Sequence, residues 1–572
     1  MASQRDTTLL NGDIVIDGVR YPVARAPDNP TQLLITKAAH DEDEPGTHGR
    51  VVKYGWNNFS DGMGEFTEDP DVAGYAYSVG YDCTVKGIAR LPQRRLSNTD
   101  SNINFAGGTS TWWFEDPNPS TDTTSIFVYI LHGTTVLKYR IIDGGTSFNL
   151  VYQKTFTSAV MGRPIQFEGL WYIPMGTGSD SRQITRINPR ITHVFTYDGT
   201  AFTARIAEAE SVAGTAFTLL ADTNDFVYFG VQDPITTPGQ FNALQFDIAT
   251  AGAGLTLVWE FWNGAAWTAL TVTDGTTNFS ADGDVTWTIP GAWATTAVNS
   301  TTCWWVRVST SSGPTTAPTA NSCPIIDQFT SLAGNGKNGL AFATVQDGAT
   351  ARIASGFGTN LVSMAATDPT TAGNWGSAFE VGDTSAAITD MFDSGSQLWV
   401  AKEDGLYVFD AVGASHKVPF SPAFIDSQNG MGMLVVAGTE MIFYPSRSGL
   451  AMVLGNVVTS VGHDSYQSLY GIPNITNEPV RGRWRELALG NDDWVYSLYR
   501  VSSASGGWLI EQGAGSTSER SYIMAGYMGR GLPNLVWHTY DYEIGLARGL
   551  FIDSRKRMWT LLDDGSGGGS EP

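Results

Sequence analysis

The sequence predicts an all-β chain: a β-propeller of about seven blades, interrupted by an inserted β-sandwich or jelly-roll-like domain. Short runs rich in Val, Ile, Thr, Tyr, Phe and Trp recur between clusters of Gly, Asp, Asn, Ser and Pro, and helical periodicity is nearly absent. Asp-Gly steps at 198–199, 347–348 and 404–405 indicate tight turns between antiparallel strands. One stretch, 206–327, differs in composition and breaks the recurrence.

A unit of several short strands recurs loosely along the chain and predicts the propeller blades. Its clearest copy is ITDMFDSGSQLWVAKEDGLYVFD at 388–410, which predicts three strands joined by two turns. Weaker copies lie at 167–175 continued at 194–199, and at 431–444, 484–499 and 549–561. Propeller repeats run over roughly 40 to 50 residues, so about seven blades fit the chain. We expect them at 51–205 and 328–562.

The stretch 206–327 predicts an inserted domain, because its composition shifts to Thr and Ala and its Trp residues are dense. These residues are Trp259, Trp262, Trp267, Trp287, Trp293, Trp304 and Trp305. The linker-like segment GPTTAPTANSCP at 313–324 closes the stretch. Inserting a β-sandwich into a surface loop costs little when the two ends of the insertion lie close together.

The two ends of the chain differ from both domains. Residues 1–50 contain strand-like runs and an acidic run, DEDE, at 41–44, and we expect this segment to be an arm that docks onto a neighbour. The last segment, 563–572, is rich in Gly and polar residues and predicts a flexible tail.

The charge of the chain excludes several classes of partner. There are 34 basic and 57 acidic residues, a net charge of −23, which argues against nucleic acid and against anionic membrane surfaces. No apolar run approaches the roughly 18 residues of a membrane span. The first ten residues lack the basic region and apolar core of a signal peptide. We therefore expect a protein made in the cytoplasm and not inserted into a membrane.

The most specific motifs lie at 225–308, within the predicted insertion. They are Tyr-x-Gly at 228–230, WEFWNGAAW at 259–267, DGT at 274–276, GDVTWTIP at 283–290, Trp293, and WWVR at 304–307. As a group they resemble a β-sandwich module of baseplate and tail proteins of tailed bacteriophages. Phe229 and Cys303 depart from that pattern without threatening the fold. The segment GWNNFSDGMGEF at 55–66 more weakly resembles the opening of phage propeller proteins.

The resemblance implies a structural protein of a tailed-phage virion, assembled in the host cytoplasm. It implies a tail-tip, baseplate or fibre component that contacts other virion proteins as a symmetric homo-oligomer. The inserted sandwich would bind a host surface glycan or a neighbouring virion protein, with weak single sites strengthened by multivalency. Two alternatives stay open: a tail-associated polysaccharide depolymerase, and a head or tail decorating or connecting protein without host contact.

The candidate ligand-binding residues form a possible glycan platform: Trp262, Trp267, Asn263 and Glu260. Alternation along the strand places Trp259 on one face, and Glu260 and Trp262 on the other. One face should be core, and the other could expose indole rings on which a sugar stacks its apolar face. The alternative is that all the Trp rings are buried in ordinary sheet packing.

Other motifs favour turns over chemistry. Asp222, Asn224 and Asp225, and separately Asp282 and Asp284, could hold Ca²⁺, but turn formation explains both groups. GNGKNG at 334–339 matches GxGxxG without the strand before and the helix after that a nucleotide site needs. The seven His residues are scattered, and neither HExxH nor GxSxG occurs. The densest basic cluster, RGRWR at 481–485, favours a solvated face.

The cysteines do not indicate a metal or redox site. Cys83, Cys303 and Cys323 are the only three, and no CxxC spacing occurs. Cys303 and Cys323 could pair on neighbouring strands, but reduced core thiols are favoured in a protein made in the cytoplasm. We therefore predict no catalytic residue, no metal and no cofactor.

Overall fold

The computed structural model describes side chains in some parts of the chain and only the backbone in others. Side chains are described within 112–421, except at 116–125, 142–148, 158–161, 177–180, 211–214, 233–238, 347–349, 396 and 410–414, and also at 441–444, 450–455, 457–459, 495, 550–554 and 559–560. For the other strands given below, only the backbone is described.

Antiparallel sheets whose neighbouring strands are consecutive in sequence begin near the N-terminus. The first sheet contains β1 (Leu9–Ile16), β2 (Val19–Ala26), β3 (Asn29–Thr36) and β4 (Lys53–Trp56). A two-stranded ribbon follows, β5 (Tyr81–Asp82) and β6 (Ala89–Arg90). The next sheet contains β7 (Thr111–Glu115), β8 (Ser125–His132), β9 (Thr135–Ile142) and β10 (Phe148–Thr155). A further sheet starts with β11 (Ile165–Phe167), β12 (Leu170–Ile173) and β13 (Arg182–Arg186).

The chain then leaves this sheet and builds two sheets of a separate unit. Its strands are β14 (His193–Tyr197), β15 (Phe202–Ala204), β16 (Phe217–Thr218), β17 (Phe226–Val231), β18 (Ala243–Thr250), β19 (Leu257–Trp262), β20 (Trp267–Ala269), β21 (Val272–Asp274), β22 (Gly283–Trp287), β23 (Thr295–Val298), β24 (Thr301–Thr310) and β25 (Thr319–Ser322). A short helix, α1 (Ile206–Glu210), lies between β15 and β16. Among the described residues, no helix has both the length and the apolar composition to cross a membrane.

After this insertion the chain returns to the interrupted sheet and resumes the earlier pattern. β26 (Gln328–Ser331) pairs with β13 as its fourth strand. Later sheets contain β27 (Gly339–Asp347), β28 (Thr350–Phe357), β29 (Leu361–Ala365) and β30 (Phe379–Glu380), then β31 (Ile388–Asp393), β32 (Leu398–Lys402), β33 (Gly405–Phe409) and β34 (Ser415–Lys417). They are followed by β35 (Gly432–Val436), β36 (Thr439–Ser446), β37 (Gly449–Leu454) and β38 (Val457–Ser460), then β39 (Arg483–Leu489), β40 (Trp494–Val501), β41 (Arg520–Tyr527) and β42 (Val536–Asp541), and finally β43 (Leu546–Ile552), β44 (Met558–Asp563) and β45 (Ser570–Glu571).

Consecutive sheets pack face to face through apolar clusters. Phe167 and Tyr172 of the β11–β13 sheet pack with Phe342 of the next sheet. Further clusters join the β27–β30 sheet to β31–β34, and the β31–β34 sheet to β35–β38. β39 contacts β36 and β43, and β43 contacts β7, where the rings of Phe551 and Trp113 stack with centroids 6.0 Å apart. The last sheet therefore meets the β7–β10 sheet, which in turn packs on the β11–β13 sheet, so the sheets from β7 onward follow one another in a closed succession, the arrangement of a β-propeller.

The inserted unit is a β-sandwich, because its two sheets share one apolar core. The seven-stranded sheet has the order β15-β14-β17-β24-β19-β20, with β23 also pairing with β24, and the five-stranded sheet has the order β16-β25-β18-β22-β21. Phe229 and Trp259 of the first sheet pack with Phe246 and Val285 of the second. The predicted fold class, an all-β chain with a propeller and an inserted sandwich, is confirmed. The blade count of about seven stays a prediction.

The strands differ in detail from the predicted domain limits. β14 and β15 lie before residue 206 and belong to the seven-stranded sheet of the sandwich. The sheet β1–β4 crosses the limit placed after residue 50, and β45 pairs with β44 inside the segment predicted as a tail. Sheet membership depends on pairing between distant strands, which the local pattern of one strand does not report. The limits of the domains stay predictions.

The five-stranded sheet of the sandwich rests on the propeller. Ala243, on the face of β18 opposite the sandwich core, is buried in a propeller cluster with Tyr129 and Tyr152. Asp284 of β22, also on that face, forms an ion pair with Lys154 of β10. We call this sheet the inner sheet and the seven-stranded sheet the outer sheet. Because the two sheets pack back to back, the outer sheet turns its second face away from the propeller.

A buried polar network holds the segments that connect the two units. Asp327, just after the insertion, accepts hydrogen bonds from the hydroxyl groups of Tyr129 and Tyr152 and from the backbone N–H of Asn188, just before it. The Nζ of Lys138 lies 3.3 Å from both carboxylate oxygens of Asp327. The two charged side chains are 4% and 1% exposed, so the ion pair is buried on both sides.

Candidate functional site on the outer sheet

The second face of the outer sheet carries a group of aromatic rings around one ion pair. Alternation along β17 turns Val227 and Phe229 into the sandwich core and Phe226 and Tyr228 to the opposite side. We call this surface the aromatic face; its residues are Phe195, Tyr197, Phe202, Phe226, Tyr228, Glu260, Trp262, Trp267, Trp305 and Arg307.

Trp305 forms the floor of the aromatic face. Its side chain is fully buried, and its indole Nε1 donates a hydrogen bond of 3.0 Å to the carbonyl of Thr296. The ring lies directly on Gly230 of the neighbouring strand, where an added Cβ would collide with it. The glycine of the Tyr-x-Gly motif is therefore required by the close approach of this ring.

Arg307 is the charged centre of the face. Its Nε and Nη2 atoms lie 2.8 Å and 2.7 Å from the same oxygen, Oε2 of Glu260. Its guanidinium lies 4.5 Å from the ring centroid of Phe226 and 4.3 Å from that of Trp267, which are distances of cation–π contact. Its Nη1 is 3.4 Å from the hydroxyl of Tyr228, whose pKa is raised by burial. The centre is thus an electrically neutral pair set among aromatic rings.

The structure brings three of the four predicted platform residues together. Trp262 and Trp267 face each other across the β19–β20 hairpin, with ring centroids 5.7 Å apart and planes at 71°. Both are half-buried, and Glu260 lies beside them on the same face. Asn263 is engaged in the hairpin turn: its Oδ1 accepts hydrogen bonds from the backbone N–H groups of residues 265 and 266, and its Nδ2 donates to Thr268. A role in binding a ligand stays a prediction for all four.

The site residues predicted from the sequence do not include Arg307 or the rings of β14, β15 and β17. A signal for Arg307 was present, because alternation in WWVR places Trp305 and Arg307 on one face of their strand. The partner of Arg307, Glu260, is 47 positions away, and only the pairing of β19 with β24 brings the two together.

The groups considered as calcium sites are engaged in turns and in packing. Oδ2 of Asp225 accepts hydrogen bonds from the backbone N–H groups of residues 221 and 222, and hydrogen bonds from Thr223 lower the pKa of Asp222. Asp282 accepts a hydrogen bond from the N–H of Ile248, and Asp284 binds Lys154. Within the described residues, no three His, Cys, Asp or Glu side chains are grouped as metal ligands.

The glycine-rich segment 334–339 is filled by protein. It forms a 3₁₀ turn, Gly334–Gly336, that leads into β27, and the ring of Trp375 lies against Gly336 so closely that a Cβ there would collide with it. The Trp375 ring therefore fills the space above this turn, where a bound phosphate would have to lie. The basic cluster at 481–485, the 1–50 arm and Cys83 lie outside the residues whose side chains are described.

We expect the two described cysteines to resist thiol reagents in the folded protein. Both are free and buried, and burial raises the pKa of Cys303 to about 12 and that of Cys323 as well. An exposed thiol is half ionised near its ordinary pKa of about 8.5. In a Cys83→Ser variant near that pH, iodoacetamide should therefore label neither thiol in buffer and both in guanidinium chloride. Rapid labelling of Cys303 in buffer would contradict its burial.

The comparisons with known proteins concern the fold alone. No protein-family model and no curated protein sequence matches the chain. Solved structures similar to it include BBS1N in complex with ARL6DN, at 8% identity over 70% of this chain and 92% of that chain, with a TM-score of 0.25. Dihydro-heme d1 dehydrogenase NirN matches at 9% identity over 61% of this chain and 63% of that one, with a TM-score of 0.25. Apo AztD from Citrobacter koseri matches at 11% identity over 76% of this chain and 93% of that one, with a TM-score of 0.20. Matches at these values say nothing about what the chain binds.

Proposed function

We propose that the protein is a structural component of a tailed-bacteriophage particle, placed at the tail tip, baseplate or fibre. Its inserted sandwich would present the aromatic face to a host surface glycan or to a neighbouring virion protein. The observation that carries this proposal is the mounting of the sandwich: its inner sheet is held on the propeller, and the aromatic face points away from it.

The phage assignment is supported by the motifs of the insertion. Three of the motifs that resemble the baseplate and tail module also contribute to the aromatic face. Tyr228 and Gly230 belong to Tyr-x-Gly, Trp262 and Trp267 to WEFWNGAAW, and Arg307 to WWVR.

Rigid mounting suits attachment by many copies. A symmetric oligomer would hold several aromatic faces in fixed relative positions, so that weak single contacts add up to strong attachment. The net charge of −23 keeps the free subunit soluble before assembly. We propose no enzymatic activity.

Immunogold labelling of intact particles tests the proposal. Serum raised against residues 206–327 should label the tail tip, baseplate or fibres of particles of the phage that encodes the chain. The same serum absorbed with the purified protein is the control. Label confined to the head or along the tail tube would indicate a decorating or connecting subunit instead. Absence of the protein from purified particles would overturn the virion assignment.

The depolymerase alternative predicts a different result. Incubation of the pure protein with host polysaccharide would release reducing ends, and one Asp or Glu substitution would abolish the release. We expect no release of reducing ends.

A further inference from the structure

We infer that the aromatic face is an extended site for a linear, uncharged polysaccharide, and that it reaches from the Trp262–Trp267 hairpin to Tyr197 and Phe202 at the opposite edge of the outer sheet. The inference rests on the proposed function in one respect, the assignment of this face as the binding surface. It adds the class of ligand and further residues of the site.

The rings form a continuous strip across the sheet. Trp262 contacts Trp267 at 5.7 Å between centroids, Trp267 contacts Tyr228 at 5.7 Å, Tyr228 contacts Phe202 at 5.8 Å, and Phe202 contacts Tyr197 at 4.7 Å. The rings come from strands between β20 and β15, and centroid distances of 4.7 to 5.8 Å between neighbours place Trp262 and Tyr197 at most about 22 Å apart. Sugar units bound at the two ends of such a strip would belong to one chain, which favours a polysaccharide over a single sugar.

The rings are held in place, and those at the two ends of the strip are accessible, whereas Tyr228 between them is buried. Phe202 is 37% exposed, and Tyr197, Trp262 and Trp267 are half-buried. Contacts along their edges fix their orientation, so binding costs little side-chain entropy. An apolar platform prepared in this way suits the flat C–H face of a pyranose.

The polar groups beside Trp267 match the hydroxyl groups of a sugar. The Nε and Nη2 atoms of Arg307 both contact Oε2 of Glu260. The other carboxylate oxygen, Oε1, accepts no hydrogen bond from the part of the chain that the structure describes. The Nη1 of Arg307 makes only a long contact of 3.4 Å with Tyr228. An available acceptor therefore lies next to an underused donor. Adjacent sugar hydroxyls each donate and accept, so they can engage both.

Charge selects a neutral ligand. The Arg307–Glu260 pair cancels its own charge, and a uronic acid or sialic acid would have to compete with Glu260 for the guanidinium. The net charge of −23 adds a long-range repulsion against acidic polymers. A flat apolar protein surface fits less well, because it would bury the ion pair without supplying partners for Oε1 and Nη1.

Affinity electrophoresis of the full-length protein tests the inference. The probes are soluble linear polysaccharides: β-1,4-glucan, β-1,4-xylan, β-1,4-mannan, β-1,3-glucan and α-1,6-glucan as neutral polymers, and alginate and hyaluronan as acidic ones. At least one neutral polymer should retard the protein, and the acidic ones should not. Trp267→Ala should weaken binding about tenfold or more, and Phe202→Ala should weaken it by about threefold or more.

A matched control is available in the propeller. Phe420 is 99% exposed and lies outside the insertion, so Phe420→Ala removes an exposed ring without touching the aromatic face. It should bind as the unaltered protein does. Phe202→Ala keeps the test decisive if Trp267→Ala fails to fold, because Phe202 is the most exposed ring of the face.

The outcomes separate this inference from the proposed function. The inference is overturned if only acidic polymers, or none of the neutral polymers, retard the protein. It is also overturned if Phe202→Ala and Trp267→Ala are retarded as strongly as the unaltered protein. Tail label combined with any of these results leaves the virion role standing and points to a protein partner for the face. Neutral-polymer binding by a protein absent from purified particles keeps the site and overturns the virion role.

Discussion

Replacing Asp327 with Asn is expected to lower the free energy of unfolding by about 3–5 kcal/mol, the range for removing one member of a buried ion pair. Lys138, which is 4% exposed, would lose the carboxylate that lies 3.3 Å from its Nζ. The hydroxyls of Tyr129 and Tyr152 and the N–H of Asn188 would also lose an ionised acceptor. Because these groups come from the propeller and from both connecting segments, the substitution should loosen the sandwich from the propeller.

Differential scanning calorimetry and guanidinium denaturation followed by Trp fluorescence would measure the effect of Asp327→Asn. Two units need not unfold together, so the number of transitions is as informative as their midpoints. Glu208→Gln is the control, since it removes the Arg205–Glu208 pair, whose side chains are 32% and 25% exposed. An exposed pair contributes about 0–1 kcal/mol. Equal effects of the two substitutions would contradict the importance of the buried network.

Trp305→Ala is expected to destabilise the sandwich by about 3–5 kcal/mol, the range for removing a large buried aromatic side chain. Trp305 is fully buried although it points away from the sandwich core, because it packs with Phe195, Tyr228, Val298 and Cys303. This second cluster supports the rings that face solvent, so its loss should also disorder the aromatic face.

Two further variants make the test of Trp305 specific. Trp262→Ala removes a half-buried Trp from the same face and should cost clearly less than Trp305→Ala. Gly230→Ala adds only a methyl group but forces it against the ring of Trp305, and overpacking of this kind costs about 1–3 kcal/mol. If the same denaturation curves show that Gly230→Ala leaves the free energy of unfolding unchanged, the ring of Trp305 does not rest on the glycine.

The segment 388–410 shows how well local patterns predict this fold. Three strands and two turns were predicted there, and β31, β32 and β33 occupy those positions. Each strand is an apolar run bounded by turn residues, and Gly395 has a positive φ in the turn between the first two. All of that information lies within a few residues, where sequence patterns act.

The strand 193–197 shows where local patterns fail. Its run of aromatic and β-branched residues followed by Asp-Gly resembles the weaker blade copies and predicts a strand of the same blade as 167–175. In the structure it pairs with β17 of the sandwich. The choice of partner depends on which distant strand offers a matching apolar face, so the run itself fits either sheet.

The candidate site divides in the same way. Alternation along β19 correctly separates Glu260 and Trp262 from Trp259, because side chains alternate with a period of two in any strand. Two further contacts depend on strand pairing. The pairing of β19 with β24 brings Glu260 to Arg307, and the pairing of β17 with β24 brings the ring of Tyr228 beside Arg307.

The sequence by itself determined the all-β character, the two turns within 388–410, the presence of an inserted sandwich and the alternation that puts Glu260 and Trp262 on one face. These are short-range properties, set by side-chain size, polarity and backbone freedom within a strand or turn. The tertiary structure alone decided that β26 completes the sheet begun by β13, that the inner sheet rests on the propeller, and that Arg307 and Asp327 meet their partners. Those contacts join residues tens to hundreds of positions apart, and packing between whole sheets selects them.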